Sequence, residues 1–157
     1  MKIGKKDCQD LERALSLEWL EQNGRGGFAS GTVAGAHTRR YHALLLTARK
    51  PPSERFVLVN HLEEWLAIDA HVVPLSTNLY PGAVHPTGYE HCVEFSTDPW
   101  PIWTFACNGM RLQREILLIQ GRDLAIVRWT LLGRKKQRAV LRVRPKLTGR
   151  DYHGTHH

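Results

Sequence analysis

The side chains able to do chemistry here are fifteen carboxylates, nine histidines and three cysteines, and their spacing limits what that chemistry is. His85, His91 and Cys92 form one group, and Asp151, His153, His156 and His157 another. Neither has the CxxC or HExxH spacing that brings ligands to one zinc ion, so no metal site is expected. Cys8, Cys92 and Cys107 contain no CxxC pair and are odd in number, which points to reduced thiols, with Cys107 in an apolar strand pattern of core type. Glycoside hydrolysis needs two carboxylates facing each other across the scissile bond, and the linear order pairs none of the fifteen. Trp65, Trp100, Trp103 and Tyr89 carry rings that can stack on sugars. In a sandwich such rings are more often core, because burying one removes about 150–250 Å² from water.

The densest pattern is Asn23 to Leu46, NGRGGFASGTVAGAHTRRYHALLL. A glycine in regular structure costs roughly 0.5–1 kcal/mol relative to alanine, so five of them point to backbone that turns through positive φ or approaches a neighbour closely. Gly24 to Ala29 fits the loose dinucleotide fingerprint GxGxxG/A, which needs a strand before it, a helix after it and an acid about 20 residues on. SLEWLEQN is too polar for a buried parallel strand, Ser30-Gly31 opens a helix poorly, and positions 39–46 carry no acid. No lysine follows in the position a phosphate loop requires.

The elements that must position these residues are mostly extended. Leu11 and Leu15, with Trp19 one step further, sit at helical spacing behind Asp10 and Glu12, predicting a short helix up to about Ser16. From Leu17 the pattern turns extended. Tyr41–Thr47 reads as a strand, Lys50-Pro51-Pro52-Ser53 as a turn, and Phe56–Val59 and Leu62–Ile68 as further strands; Ser76–Tyr89, rich in Pro, Gly, Thr and His, reads as a long loop. Asn108-Gly109 between Trp103–Cys107 and Met110–Ile119 is the preferred pair for a type I′ hairpin turn. Leu124–Leu132 and the stretch from Arg138 to Arg144 then alternate apolar with polar residues, and the whole last third reads as a β-meander. A sheet with one apolar face needs a cover, and a second sheet about 10 Å away is the usual all-β solution. The fold class expected is therefore all-β, an antiparallel β-sandwich.

A chain of 157 residues suits one domain and buries roughly 70% of its unfolded surface. No apolar run approaches the ~20 residues that span a bilayer, and the basic start lacks an apolar leader, so membrane association is not expected and the cytoplasm is the expected location. The net charge of +7 raises nucleic-acid binding, but the basic residues are scattered, with only Arg134, Lys135, Lys136 and Arg138 clustered in an exposed turn. Nucleic acid is not the expected partner.

EWLEQNGRGGFASGTVAGAHTRRYHALLL resembles the opening of bacterial and archaeal glycogen debranching enzymes, approximately EWLxTNGxGGYASGTxxGxNTRRYHGLL. HPTGYEHCVEFSTDPWPIW is similar to the family's HPxGxxxLxxFxxDPxPxW, and RPKLTGRDYHGTHH to RPLLxxRDYHxL. Three motifs in order cover about residues 17–157. Phe28 stands where Tyr is usual, His37 where Asn is usual, Ala43 where Gly is usual, and Arg25 at a position often apolar.

The resemblance implies a super-sandwich-like N-terminal domain (residues 17–157, incomplete at its C-terminal end, after an extension over 1–16). Its partner would be an (α/α)6 barrel that carries the catalytic carboxylates and is absent from this chain. It implies removal of α-1,6-linked glucose from glycogen or related α-glucans, with 4-α-glucanotransferase activity in some members, and no cofactor. No residue of this chain is then catalytic. Asn23, Gly26, Gly27, Arg39, Arg40, Tyr41 and His42, with Arg150, Asp151 and His153 of the last motif, are the candidates for contact with substrate or partner domain. The competing expectation is a stand-alone carbohydrate-binding module with Trp65, Trp100 and Trp103 as its platform.

Overall fold

A computed structural model describes residues 1–133 and 138–154. The Arg134–Lys136 cluster and the His156–His157 end lie outside the described residues. In chain order the elements are β1 (Lys2–Gly4), α1 (Lys5–Cys8), α2 (Leu11–Ser16), β2 (Glu18–Gln22), β3 (Phe28–Thr32), β4 (Ala43–Lys50), β5 (Ser53–Ile68), β6 (His71–Pro74), β7 (Thr77–Tyr80) and β8 (Ala83–Thr87). A 3-10 turn (Gly88–His91) leads to β9 (Cys92–Ser96), β10 (Ile102–Cys107), β11 (Met110–Leu118), β12 (Ala125–Leu132) and β13 (Ala139–Asp151). Two sheets face each other. One has the order β1-β9-β10-β11-β12; the other is β13-β5-β4-β3-β2 with β6 also on β5. The expected all-β sandwich is what forms. Among the described residues no helix is long and apolar enough to cross a membrane.

The predicted helix is α2. The Asp10 carboxylate accepts from Arg13 N at 3.0 Å, capping its N-terminus. It stops when Leu17 turns extended, so Trp19 lies in β2 and points into the core. The Asn108-Gly109 turn is also as read: both residues have positive φ (46° and 78°), and Cys107 pairs with Met110 across it.

Two expectations need correction. Ser76–Tyr89 is not a long loop. It holds the β7/β8 hairpin, in which Tyr80 pairs with Ala83 and Thr77 with Thr87 around a Pro81-Gly82 turn. Gly88 N donates to Ser76 O, and a Cβ on Gly88 would lie 2.3 Å from the Leu75 carbonyl carbon, so only glycine lets the hairpin close there. Composition alone hid this, because proline and glycine mark a turn but also occur beside one. Nor is the last strand part of the meander. β9 to β12 are consecutive neighbours, whereas β13 crosses to the opposite sheet and pairs with β5 from Ala139↔Ile68 to Asp151↔Phe56.

The main core lies between the sheets. Trp103, Phe95, Phe105, Leu66, Ile68 and Leu75 are fully buried or nearly so. Trp103 packs edge-on to Trp19 (5.3 Å between centroids) and against Phe95 (4.8 Å). Both indoles satisfy their N–H on the backbone, Trp103 at Val33 O (2.9 Å) and Trp19 at Thr32 O (3.3 Å). Ala43, Leu46 and Val57 form a second, smaller cluster with Phe28 and Tyr152. Phe28 thus packs as a purely apolar ring.

Candidate functional site

The glycine-rich stretch is the β2–β3 connection, and Asn23 organises it. Its side chain is completely buried. The amide oxygen accepts from Arg25 N (2.8 Å) and Gly27 N (3.0 Å), while Nδ2 donates to Arg122 O (3.1 Å) and Asp123 Oδ1 (2.9 Å). Two accepted and two donated bonds are the full capacity of a carboxamide, so none remains for a sugar hydroxyl. The backbone joins in, with Asn23 N donating to Gly27 O and Gly121 N to Asn23 O. The glycines make room for this. A Cβ on Gly27 would sit 2.5 Å from Asn23 Nδ2 and 2.8 Å from Leu46 O, and one on Gly26 (φ 85°) 2.9 Å from Pro52 Cα. The close approach they permit is to this chain's own strands.

Arg55 carries the loop to the second motif. Its Nε donates to Gly26 O at 3.0 Å, and its guanidinium lies 5.6 Å over the Tyr152 ring. There the residues Arg40, Tyr41, Arg150, Asp151 and His153 form one knot. Arg40 Nη1 donates to His153 O (3.0 Å), Arg150 Nη2 donates back to Arg40 O, and the Tyr41 hydroxyl is 3.1 Å from His153 Nδ1. Tyr41 and Tyr152 pack at 5.2 Å, and Tyr152 and His153 at 3.9 Å. The Asp151 carboxylate accepts from His153 N at 2.9 Å and shapes the turn locally. Arg150 Nη1 also donates to Gly154 O at 3.0 Å. Residues about 110 positions apart are thereby locked at one end of the six-stranded sheet. Exposed rings and guanidinium donors suit recognition; the one carboxylate in the knot is occupied in its own turn.

Arg39 and His42 point elsewhere, and both meet Glu18 on β2. Its Oε1 lies 2.6 Å from Arg39 Nε and 3.5 Å from His42 Nε2. His42 is buried and its Nδ1 accepts from Thr38 N at 3.2 Å, so it supports the backbone entering β4. The ten candidate residues therefore divide into a buried loop clasp (Asn23, Gly26, Gly27), an exposed knot (Arg40, Tyr41, Arg150, Asp151, His153) and a Glu18-centred group (Arg39, His42).

The family model described as glycogen debranching enzyme N terminal matches residues 17–157, the span that holds both the clasp and the knot. The chain belongs to that family. Comparison with curated proteins and with solved structures gives no match. Within this N-terminal domain, the resemblance seen in the three motifs and the family match agree on the same residues.

The domain also contains groups that the sequence alone did not single out. His37, His42 and His61 lie with ring centroids 5.6–5.7 Å apart from His37 outward. Burial lowers all three pKa values, and that of His37 falls to about 3, helped by its histidine neighbours. The sign follows directly. The unfolded chain takes up a proton near pH 6.5 and the folded chain does not, so stability from this cluster is present above that pH and is lost as pH falls toward 3. Between pH 7.5 and 5, His37 alone should account for a loss on the order of 2 kcal/mol. Urea midpoints at the two pH values check this, and His37→Asn should show a clearly smaller drop than the parent chain.

Glu63 and Glu64 are adjacent in β5 and therefore face opposite ways. Glu63 pairs with Arg144 and with Lys146 (3.3 Å). Burial pushes its carboxyl up, but the hydrogen bonds from Arg144 and Lys146 outweigh it and hold the pKa below the ordinary value. Glu115 is held low by Arg128 Nε at 2.5 Å, against its own burial. Acids held ionised in this way are poorly placed to donate a proton as general acids. Among the described residues no three His, Cys, Asp or Glu side chains converge as a metal site, and Cys8, Cys92 and Cys107 are all buried free thiols. Trp103 is core, 1% exposed, and cannot stack on a sugar. Half-buried Trp65 lies under Arg144 on one sheet, and Trp100 donates to Glu115 Oε1 (3.1 Å) beside the other. The signals that could have exposed these groups are a doubled carboxylate in an apolar strand and the Tyr between Asp151 and His153.

Proposed function

We propose that this chain is the N-terminal β-sandwich domain of a cytoplasmic glycogen debranching enzyme. That enzyme removes α-1,6-linked glucose from glycogen-like α-glucans (amylo-α-1,6-glucosidase), with 4-α-glucanotransferase activity as a second capacity. The catalytic carboxylates belong to a separate (α/α)6 domain, and the knot of Arg40, Tyr41, Arg150 and His153 meets that domain at the rim of the glucan cleft. The observation that carries this reading is the knot itself: two motifs at opposite ends of the matched span are interlocked, through a half-buried Arg150, while Arg40, Tyr41 and His153 stay exposed. A purely internal clasp would bury them, as Asn23 is buried.

The test joins this domain to a debranching catalytic domain and follows glucose release from a phosphorylase limit dextrin. Arg40→Ala and Tyr41→Phe should lower release about tenfold or more while the urea midpoint of the domain shifts by less than about 1 kcal/mol in free energy. Unchanged release from both variants would remove the rim role. The chain by itself should release no glucose, and measurable turnover by it would place catalysis inside the sandwich.

A further inference from the structure

A cleft of about 340 Å³ opens between the β3–β4 loop, β5, β7 and β13. Its walls include His61, Glu63, Asn60, Asn78, Tyr80 and Lys146. The size is that of small-molecule sites, which run from roughly 300 to 1,000 Å³. Four separate stretches of chain converge here and bring carboxamide, imidazole, carboxylate, phenol and ammonium groups together.

Tyr80 is 56% exposed although it sits against this cleft, and the β7/β8 hairpin carries it there. Asn78 Nδ2 reaches Glu63 Oε1 at 3.4 Å, a long contact, and Asn60 Nδ2 lies 3.3 Å from His61 Nδ1. Each carboxamide has further capacity to donate and accept. Within the lining the one carboxylate, Glu63, faces the one ammonium, Lys146, at 3.3 Å; Arg144, the second cation on Glu63, lies outside the lining. Beneath the opening, His37 Nδ1 and His61 Nε2 are buried without a hydrogen-bond partner among the described residues. An unsatisfied buried nitrogen is costly, and in a native fold it calls for a water or a ligand group.

We infer that this cleft binds a neutral polyhydroxylated ligand, a short α-glucan segment, with Tyr80 stacking on a sugar ring and Asn60 and Asn78 taking its hydroxyls. An anion would meet the Glu63 carboxylate and a cation the Lys146 ammonium, whereas a neutral polyol meets matched donors and acceptors. Choosing a glucan among polyols rests on the debranching reading above. None of its lining residues belongs to the knot, and the site would hold a chain of the polymer beside the branch being cut.

The experiment is isothermal titration of the 157-residue chain with maltotriose. Saturable binding is expected, weakened about tenfold in Tyr80→Ala and about fivefold in Asn78→Ala, and kept within about threefold in Tyr80→Phe, which retains the ring. Both positions are on or near the surface, and circular dichroism verifies that each of the three variants is folded. Absence of saturable binding, or equal binding by Tyr80→Ala, overturns the inference. If the joined enzyme releases glucose but the chain does not bind maltotriose, this site is wrong and the debranching reading stands. If the chain binds maltotriose through Tyr80 and no joined enzyme is active, the debranching reading fails and the site stands.

Discussion

Glu64→Ala is expected to cost the domain about 3–5 kcal/mol of unfolding free energy, the range for removing one partner of a buried ion pair. Glu64 is completely buried between the sheets. Its Oε2 lies 2.6 Å from Arg114 Nη1, and its Oε1 accepts from Trp129 Nε1 at 2.7 Å. Arg114 is 7% exposed and stacks over Trp103 at 4.2 Å, so its charge cannot swing out to water. Alanine would strand that guanidinium and the Trp129 N–H together. Domains of this size have roughly 5–15 kcal/mol in total, so the single change should remove a large share. Urea unfolding followed by tryptophan fluorescence measures it. Glu64→Leu combined with Arg114→Met removes both charges and should recover most of the loss, because an apolar pair of similar volume avoids the desolvation cost. If the double variant is as unstable as the single one, the ion pair is not the cause.

Asn23→Ala should cost about 3 kcal/mol or more. Four side-chain hydrogen bonds disappear, and the Gly27 N–H loses its acceptor in a buried setting, worth about 1–3 kcal/mol when left unmade, while the Arg25 N–H loses its own in a part-buried one. The loop would also lose its tie to the Arg122–Asp123 turn, formed at a separation of about 100 residues. Asn23→Asp keeps the two accepted bonds but sets a second carboxylate against Asp123, so it too should destabilise. Arg39→Ala is the contrast. Its pair with Glu18 is exposed on the Arg39 side, and such pairs contribute about 0–1 kcal/mol. Equal stability of Asn23→Ala and Arg39→Ala would contradict the clasp. Gly27→Ala should resemble Asn23→Ala, since its Cβ would push on the same amide.

Much of the fold was legible because strand faces are written locally. In β12, Ala125, Val127 and Trp129 turn inward while Ile126 and Arg128 are exposed, the alternation visible in the sequence. The Asn108-Gly109 turn was legible for the same reason, since positive φ at two adjacent residues selects that pair. The β7/β8 hairpin was not, because its short strands are closed by Gly88 fitting under Leu75, a contact no local pattern announces. The route of β13 was hidden as well. Its alternation is equally compatible with either sheet, and only the folded chain brings Arg144 of β13 opposite Glu63 of β5, where the two pair.

The candidate site divides along the same line. Sequence by itself determined the family, the all-β class and the two motifs that supply the candidate residues, because glycine density, the Thr-Arg-Arg-Tyr-His run and the Arg-Asp-Tyr-His run are properties of residue order. Only the tertiary structure decided what each residue does. It buried Asn23 with all four hydrogen bonds used, turned Arg39 and His42 toward Glu18, and set Arg40 and Tyr41 against His153. The physical reason is that an asparagine or arginine offers the same donors wherever it stands, and burial together with partners distant in the chain determines whether those donors are used internally or left for a ligand.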